Sequence, residues 1–259
     1  MQDNFALDDD GISSRFRGFG AMLLAAGLGS RLKPWTDHHP KALALVKGKS
    51  LLQHNIQYLQ RFGIQEIIVN VHHFADQIIE AIEKNKGWGS RVIISDEREE
   101  VLETGGGFLK ASSLFQRANP IVLMNVDILT DLNLQAMINY HEEKKPLATL
   151  ATTNRETSRY FLFDNGNNLC GWRNTKTGEE KPLNALREEK KTARAFSGIH
   201  IIESRIFSLI KHRGKFSMVD VYLDLMQEQT IKSFDHSESR FLDVGKAESI
   251  ANAEILFSS

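Results

Sequence analysis

After a polar opening, the chain alternates short apolar runs with segments of helical period. Residues 20–26 (GAMLLAA) carry no polar side chain, the pattern of a strand covered on both faces. Over residues 50–62, Leu52, Ile56 and Leu59 share one helical face. Ser50 with Gln53 fits a capping box there, and Gly63 fits a C-terminal stop. A strand is predicted at 64–71 (IQEIIVNV) and a helix at 74–84, with Phe74, Ile78, Ala81 and Ile82 in phase. Strands follow at 91–95 and 120–126 (PIVLMNV), then a helix at 132–143 through Leu134, Met137, Ile138 and His141, and a strand at 147–152. This rhythm predicts an α/β fold built on a largely parallel sheet with helices on both faces. Ligands of such sheets sit beyond the carboxyl ends of the strands.

Past residue 153 the rhythm changes. Short strands are predicted at 160–164 and 168–172 around the turn DNGN, and residues 173–194 read as a solvated hairpin or loop. A strand at 195–202 (AFSGIHII), a helix at 216–229, a short strand at 240–244 and a closing helix at 246–257, with Ile250, Ala253 and Phe257 inward, complete the pattern. No internal repeat is present, and no hexapeptide repeat that would append a β-helix. Residues 1–18 have neither the apolar core nor the cleavage pattern of a secretory signal and are expected to form a loose leader, with a single domain over 19–259.

The 259 residues suffice for a sizeable core, and 32 Lys plus Arg against 33 Asp plus Glu leave a net charge of -1. Bulk nucleic-acid binding needs a basic surface, so that class is disfavoured. Cys170 is the single cysteine, which rules out an intrachain disulfide or a cysteine-based zinc site and suits a reducing cytoplasm. No apolar run approaches the roughly 20 residues that span a bilayer.

The densest chemistry lies in LLAAGLGSRLKPWTDHHPKAL, directly after the first strand. Gly27 and Gly29 free backbone N–H groups for close approach to an anion. Arg31 offers a planar fork of donors, and Lys41 adds a second cation after a turn set by Pro34 and Pro40, so the loop reads as a polyphosphate cradle. It is not a Walker A loop, and the dinucleotide pattern fails because its third glycine is Leu32. Two acids end short strands far apart in sequence. Asp127 follows PIVLMNV and Asp243 lies in FLDVG, where the two could share one Mg²⁺. As a turn former or cap, Asp127 would be structural instead, and Asp131 is a candidate cap of the next helix. LETGGG at 102–107 is a second glycine cluster, either a close approach to a flat ligand or a helix start capped by Thr104. Gly198 in FSGIH gives room for a sugar ring or marks a bulge.

The string G-x-G-x-R-[LM]-x-P-x-T-x-x-x-P-K, matched by Gly27, Gly29, Arg31, Leu32, Pro34, Thr36, Pro40 and Lys41, resembles the signature of the sugar-1-phosphate nucleotidylyltransferases. ETGGG, NVD, FSGIH and DVG together resemble the N-acetylmuramate 1-phosphate uridylyltransferases of cell-wall recycling in particular. The resemblance implies a Rossmann-like, three-layer fold with a mixed, mostly parallel sheet. It implies transfer of a nucleotidyl group from an NTP, UTP first, to a sugar 1-phosphate, with release of pyrophosphate. Arg31, Lys41 and Asp127 would be catalytic. Ala26, Gly27, Gly29, Ser30, Arg31, Lys41, Glu103, Thr104, Gly105 and Asn125 would bind the nucleotide, Asn70, Gly198 and Asn174 the sugar, and Asp127 with Asp243 the Mg²⁺. Many family members carry E-K-P just after a strand. Here EEKP lies at 179–182, so either the loop is longer or Asn174 replaces the acid. The implied partners are an NTP and a sugar 1-phosphate, with no nucleic acid or membrane, in a monomer or small homo-oligomer. Competing readings are a mannose-1-phosphate guanylyltransferase, a phosphocholine cytidylyltransferase, a nucleotide-sugar sensor without turnover, and a dinucleotide-dependent oxidoreductase.

Overall fold

The computed structural model describes residues 18–116, 118–182 and 191–257; apart from Gly18, the expected leader lies outside them. The first strand, β1 (Gly20–Leu24), leads through the glycine-rich loop to a small hairpin of β2 (Leu45–Val46) and β3 (Lys49–Ser50) and on to α1 (Leu51–Gln60). Then come β4 (Glu66–Val71), α2 (Ala75–Lys84), β5 (Arg91–Asp96) and α3 (Glu103–Lys110). β6 (Ile121–Asn125), β7 (Ile128–Thr130), α4 (Leu134–Lys144) and β8 (Ala148–Thr153) follow. A meander of β9 (Arg159–Phe163), β10 (Leu169–Asn174) and β11 (Glu179–Lys181) precedes the long β12 (Thr192–Ile202). The chain closes with α5 (Ile206–Leu209), α6 (Met218–Leu225), β13 (Ile231–Asp235), β14 (Phe241–Asp243) and α7 (Ala247–Leu256).

Among the described residues, ten strands form one mixed sheet. β5, β4, β1 and β6 are parallel neighbours; β12 runs antiparallel to β6 and to β8, and β13 is parallel to β8. The first residues of β12 pair instead with β9, carrying the meander out from the main sheet. Side chains alternate between two cores. Ala21 and Leu23 of β1 and Val122 and Met124 of β6 join Leu52, Ile56, Ile78 and Met137 from α1, α2 and α4. Met22, Ile121 and Leu123 face the other way, onto Phe108 of α3 and Val221 and Tyr222 of α6. Period-two alternation with both faces buried makes the expected three layers, because each such side chain gains about 1.5–3 kcal/mol by leaving water. A third, smaller core joins Leu32 of the loop, Val46, Leu51, Leu129, Val244 and Ala253, pinning the glycine-rich loop and α7 to the β7–β14 ladder.

Local signals were obeyed where a side chain had a backbone donor to serve. Ser50 caps α1 by accepting from the Gln53 amide at 3.0 Å, and Gly63 ends the turn after it with φ 76°. Some expectations change. Asp131 is no helix cap: Asn133 caps α4, while Asp131 accepts from the Arg240 backbone and Nε. The polar stretch 173–194 includes the expected hairpin, with β11 pairing antiparallel to β10, and also the start of β12, which was not anticipated. The helix expected over 216–229 shrinks to α6, capped by Ser217 at its start. β7 and β13 went unread, being three and five residues long.

Candidate active site

A cleft of about 350 Å3 opens where the carboxyl ends of β1, β4 and β6 meet the start of α3. Its lining includes Ala26, Gly27, Lys41, Asn70, Glu103, Thr104, Asn125 and Asp127, eight of the residues singled out in the sequence. Gly29, Ser30, Arg31, Gly105, Asn174, Gly198 and Asp243 are not in that lining, and each has a distinct place.

Close packing shapes the glycine-rich loop. Gly29 has φ 62°, and a Cβ there would stand 2.9 Å from Thr36 Cγ2 and 3.0 Å from Lys41 Cβ. The buried Thr36 hydroxyl donates to the Gly29 carbonyl at 3.0 Å, and the Leu32 amide donates to the same carbonyl. Gly29 therefore lets the loop fold back onto Lys41, and the open space beside Gly27 is left for a ligand. Ser30 and Arg31 form an exposed 3-10 turn at its tip.

Both acids are brought to this point. β7 and β14 pair so that Asp243 lies opposite Ile128, and the Val244 amide donates to the Asp127 carbonyl at 2.8 Å. Buried Asn55 steadies the strand end, its Nδ2 donating to the Val126 and Leu51 carbonyls. Each acid faces a cation of the loop: Asp127 is paired with Lys41 Nζ, and Arg31 Nη2 lies 3.8 Å from Asp243. Burial raises the Asp243 carboxyl above the ordinary aspartate range, and the charge of Asp127 adds to this; Lys41, Arg31 and Arg155 oppose it. Two neighbouring carboxylates are a hard-oxygen donor set suited to Mg²⁺, with phosphate and water completing the shell. Among the described residues no cluster of three or more His, Cys, Asp or Glu forms a self-sufficient metal cage.

The triple glycine turns inward. A Cβ on Gly105 would reach Phe216 at 2.5 Å, one on Gly106 the Gly214 carbonyl oxygen at 2.3 Å, and one on Gly107 Glu97 Oε1 at 2.5 Å. The Gly105 and Gly106 amides both donate to the Phe216 carbonyl, so the Gly105 backbone is committed within the protein and is not turned to a flat ligand. Thr104 does not cap its own helix; its hydroxyl accepts from the Met218 amide of α6. Glu103, at φ 60°, holds a left-handed conformation on the cleft wall, with Lys215 Nζ 3.6 Å away.

The three residues expected to meet a sugar have other partners. Asn70 Oδ1 accepts from the Ala25 amide at 2.6 Å and its Nδ2 donates to Glu97 Oε1 at 2.8 Å, so its amide fixes the start of the glycine-rich loop. Glu97 is fully buried, and burial pushes its carboxyl up. His72, just past the end of β4, is bonded through Nδ1 to the Glu97 carbonyl. Gly198 has φ 73° at a bulge of β12, and Asn125 Nδ2 would lie 2.6 Å from a Cβ there, so the room it leaves is filled by Asn125. Asn174 is buried and accepts from the Lys176 amide, a turn-forming bond, and Glu180 pairs with Arg173 across β10–β11. Sequence reading missed Asn55, Glu97 and Arg155. No local motif marks them, because each matters through a partner distant in sequence.

Residues 20–257 match the model of a family described as Nucleotidyl transferase. The chain belongs to that family. An N-acetylmuramate alpha-1-phosphate uridylyltransferase of Caulobacter vibrioides is 44% identical over 110 residues, 41% of this chain and 45% of that protein. A mannose-1-phosphate guanyltransferase of Yarrowia lipolytica is 24% identical over 240 residues, 92% of this chain and 64% of that protein. The matches thus span about half and just under two thirds of these relatives' own lengths. In fold, the chain is similar to HddC from Yersinia pseudotuberculosis complexed with GMP-PN, at a TM-score of 0.70 and 24% identity, over 92% of this chain and 99% of that one. No helix among the described residues is long and apolar enough to cross a membrane.

Proposed function

We propose that this nucleotidyl transferase family member is a sugar-1-phosphate nucleotidylyltransferase, with UTP as donor and N-acetylmuramate 1-phosphate as acceptor. The pairing of Lys41 with Asp127 in the cleft, with Asp243 beside them, carries this reading. It is the charge set that a triphosphate and its divalent ion would take over. The acceptor phosphate oxygen is already an anion, so attack on the α-phosphorus forms the new P–O bond without a general base. The α–β bridging bond breaks, and its electron pair leaves with pyrophosphate. Arg31 and the open amides around Gly27 would hold the phosphates, and Lys41 would meet the charge that develops at the α-phosphate. Asp127 and Asp243 would hold Mg²⁺, which when bound neutralises phosphate charge. Glu103, Thr104 and Asn125 would line the nucleoside side of the cleft. The single cysteine and near-zero net charge support action in the cytoplasm, without nucleic acid.

Local identity to the Caulobacter protein favours uridylyl transfer, and the longer match to the Yarrowia protein favours guanylyl transfer to mannose 1-phosphate. Pyrophosphate release measured with UTP, GTP, CTP and dTTP against a set of sugar 1-phosphates separates the two. Release with UTP and N-acetylmuramate 1-phosphate is expected to be fastest. GTP with mannose 1-phosphate leading would establish the second reading, and nucleotide binding without any release would defeat both.

A further inference from the structure

Glu97, one residue past the end of β5, is fully buried. Its Oε1 accepts from Asn70 Nδ2 at 2.8 Å, and Oε2, buried as well, has no hydrogen-bond partner among the described residues. Helix α3 leaves space for the acid by carrying glycine against it, since a Cβ on Gly107 would come within 2.5 Å of Oε1. A buried carboxylate bonded to a neutral amide, with its second oxygen unmet, is a net cost to the fold. An apolar side chain of the same shape would suit this place better, so stability does not explain an acid here.

Its partner does. Asn70 sits in β4 between Leu24 of β1 and Ser95 of β5, and it lines the cleft together with Ala25, Ala26 and Gly27. Its Oδ1 accepts from the Ala25 amide at 2.6 Å. A backbone N–H only donates and an ionised carboxylate only accepts, whereas a side-chain amide has one end of each kind and nearly the same shape either way round. Only one of the two flips of Asn70 therefore satisfies both neighbours. The acid is itself anchored by its backbone: the Glu97 amide donates to the Val71 carbonyl at 2.8 Å, and its carbonyl is bonded to His72 Nδ1 at 2.6 Å. It is a fixed point one side chain behind the cleft wall. We propose that Glu97 is a positioning residue for the nucleotide: by accepting from Nδ2 it sets the flip and place of the Asn70 amide, and through that amide it holds Ala25 at the head of the glycine-rich loop in the form that receives the nucleotide. This rests on the nucleotidyl-transfer reading above.

Glu97→Gln keeps the shape but offers an NH2 as well as an oxygen, so it no longer dictates the flip. Its kcat/KM for the nucleotide is expected to fall roughly 10- to 100-fold, mainly through the nucleotide KM, while the acceptor KM stays within about twofold of wild type. Glu97→Met, similar in volume and without a polar group, is expected to behave alike and serves if the Gln variant fails to fold. The deciding measurement is a double-mutant cycle with Asn70→Ala. Once the amide is gone, the change at Glu97 should cost nothing further. Additive losses overturn the proposal, as does an unchanged nucleotide kcat/KM or an equal rise in the KM of both substrates. The transfer reading fails separately: a wild type that binds UTP or GTP with Mg²⁺ in calorimetry but releases no pyrophosphate defeats it, and the same cycle read as nucleotide Kd then decides the role of Glu97.

Discussion

A change from glycine to alanine inside a helix ordinarily stabilises it by about 1 kcal/mol. Gly107 in α3 reverses that sign. Its added Cβ would stand 2.5 Å from Glu97 Oε1, 3.3 Å from Glu97 Cδ and 3.0 Å from Asn70 Nδ2. Glu97 is fully buried and has nowhere to move, and Asn70 is held between it and the Ala25 amide. Overpacking of this kind costs about 1–3 kcal/mol, and loss of the bond from Asn70 to a carboxylate costs about 1.5–3 kcal/mol. Set against the helical gain, Gly107→Ala should lose about 2–5 kcal/mol, or roughly 5–15 °C in Tm for a chain of this size. Urea denaturation followed by tryptophan fluorescence measures it. The nucleotide KM should rise as well, because Asn70 no longer fixes Ala25 at the head of the phosphate loop. Shortening the acid in the same background, Gly107→Ala with Glu97→Ser, should return part of the stability by removing the clash. A stabilised or unchanged Gly107→Ala protein would refute the packing argument outright.

Other outcomes follow from the charges. Burial and Asp127 hold the Asp243 carboxyl above its unfolded value, so the folded state holds that proton more tightly and the ionised form costs stability at neutral pH. Asp243→Asn should therefore raise the Tm of the metal-free protein while reducing the further rise on adding Mg²⁺, both read by differential scanning fluorimetry. Lys41→Met should abolish pyrophosphate release yet enlarge the Mg²⁺-dependent Tm rise, since it frees Asp127 of the ammonium that competes for its oxygen; a smaller rise would contradict the competition. His200 and His236 are pushed down by burial to about 3 and about 4, so their neutral forms support the fold above pH 6.5 and that support is lost as pH falls toward those values. The stability slope between about pH 6 and 4 should approach about 2.7 kcal/mol per pH unit from these two sites, and His236→Gln should flatten it.

Much of this architecture is written in local pattern. The apolar runs of β1 and β6, the helical faces of α1, α2 and α4, and the Ser50 cap all follow from periodicity and one backbone donor. The glycine-rich loop was legible for the same reason, since Gly27, Arg31 and Lys41 lie on a single continuous segment. What sequence could not convey is which side of a glycine is occupied. Gly105 and Gly198 carry the signature of a close approach, yet the approaching atoms are Phe216 and Asn125 of the protein itself. Nor does any pattern show that Asn70 serves Ala25, or that Asn174 closes its own turn, because a side-chain amide bonds equally well to a sugar hydroxyl or to a backbone amide.

The two strongest sequence features, a basic loop and a pair of acids, become one device only through the three-residue pairing of β7 with β14. Lys41 and Arg31 balance Asp127 and Asp243, so the four groups sum to zero and none is left as an uncompensated charge in the free protein. Under the proposed function, a triphosphate with its divalent ion would bring both partners at once: the phosphates would take the cations and the ion the carboxylates. Either ligand alone would strand half of the set, which accounts for placing the two cations and two acids within reach of each other instead of in separate pockets.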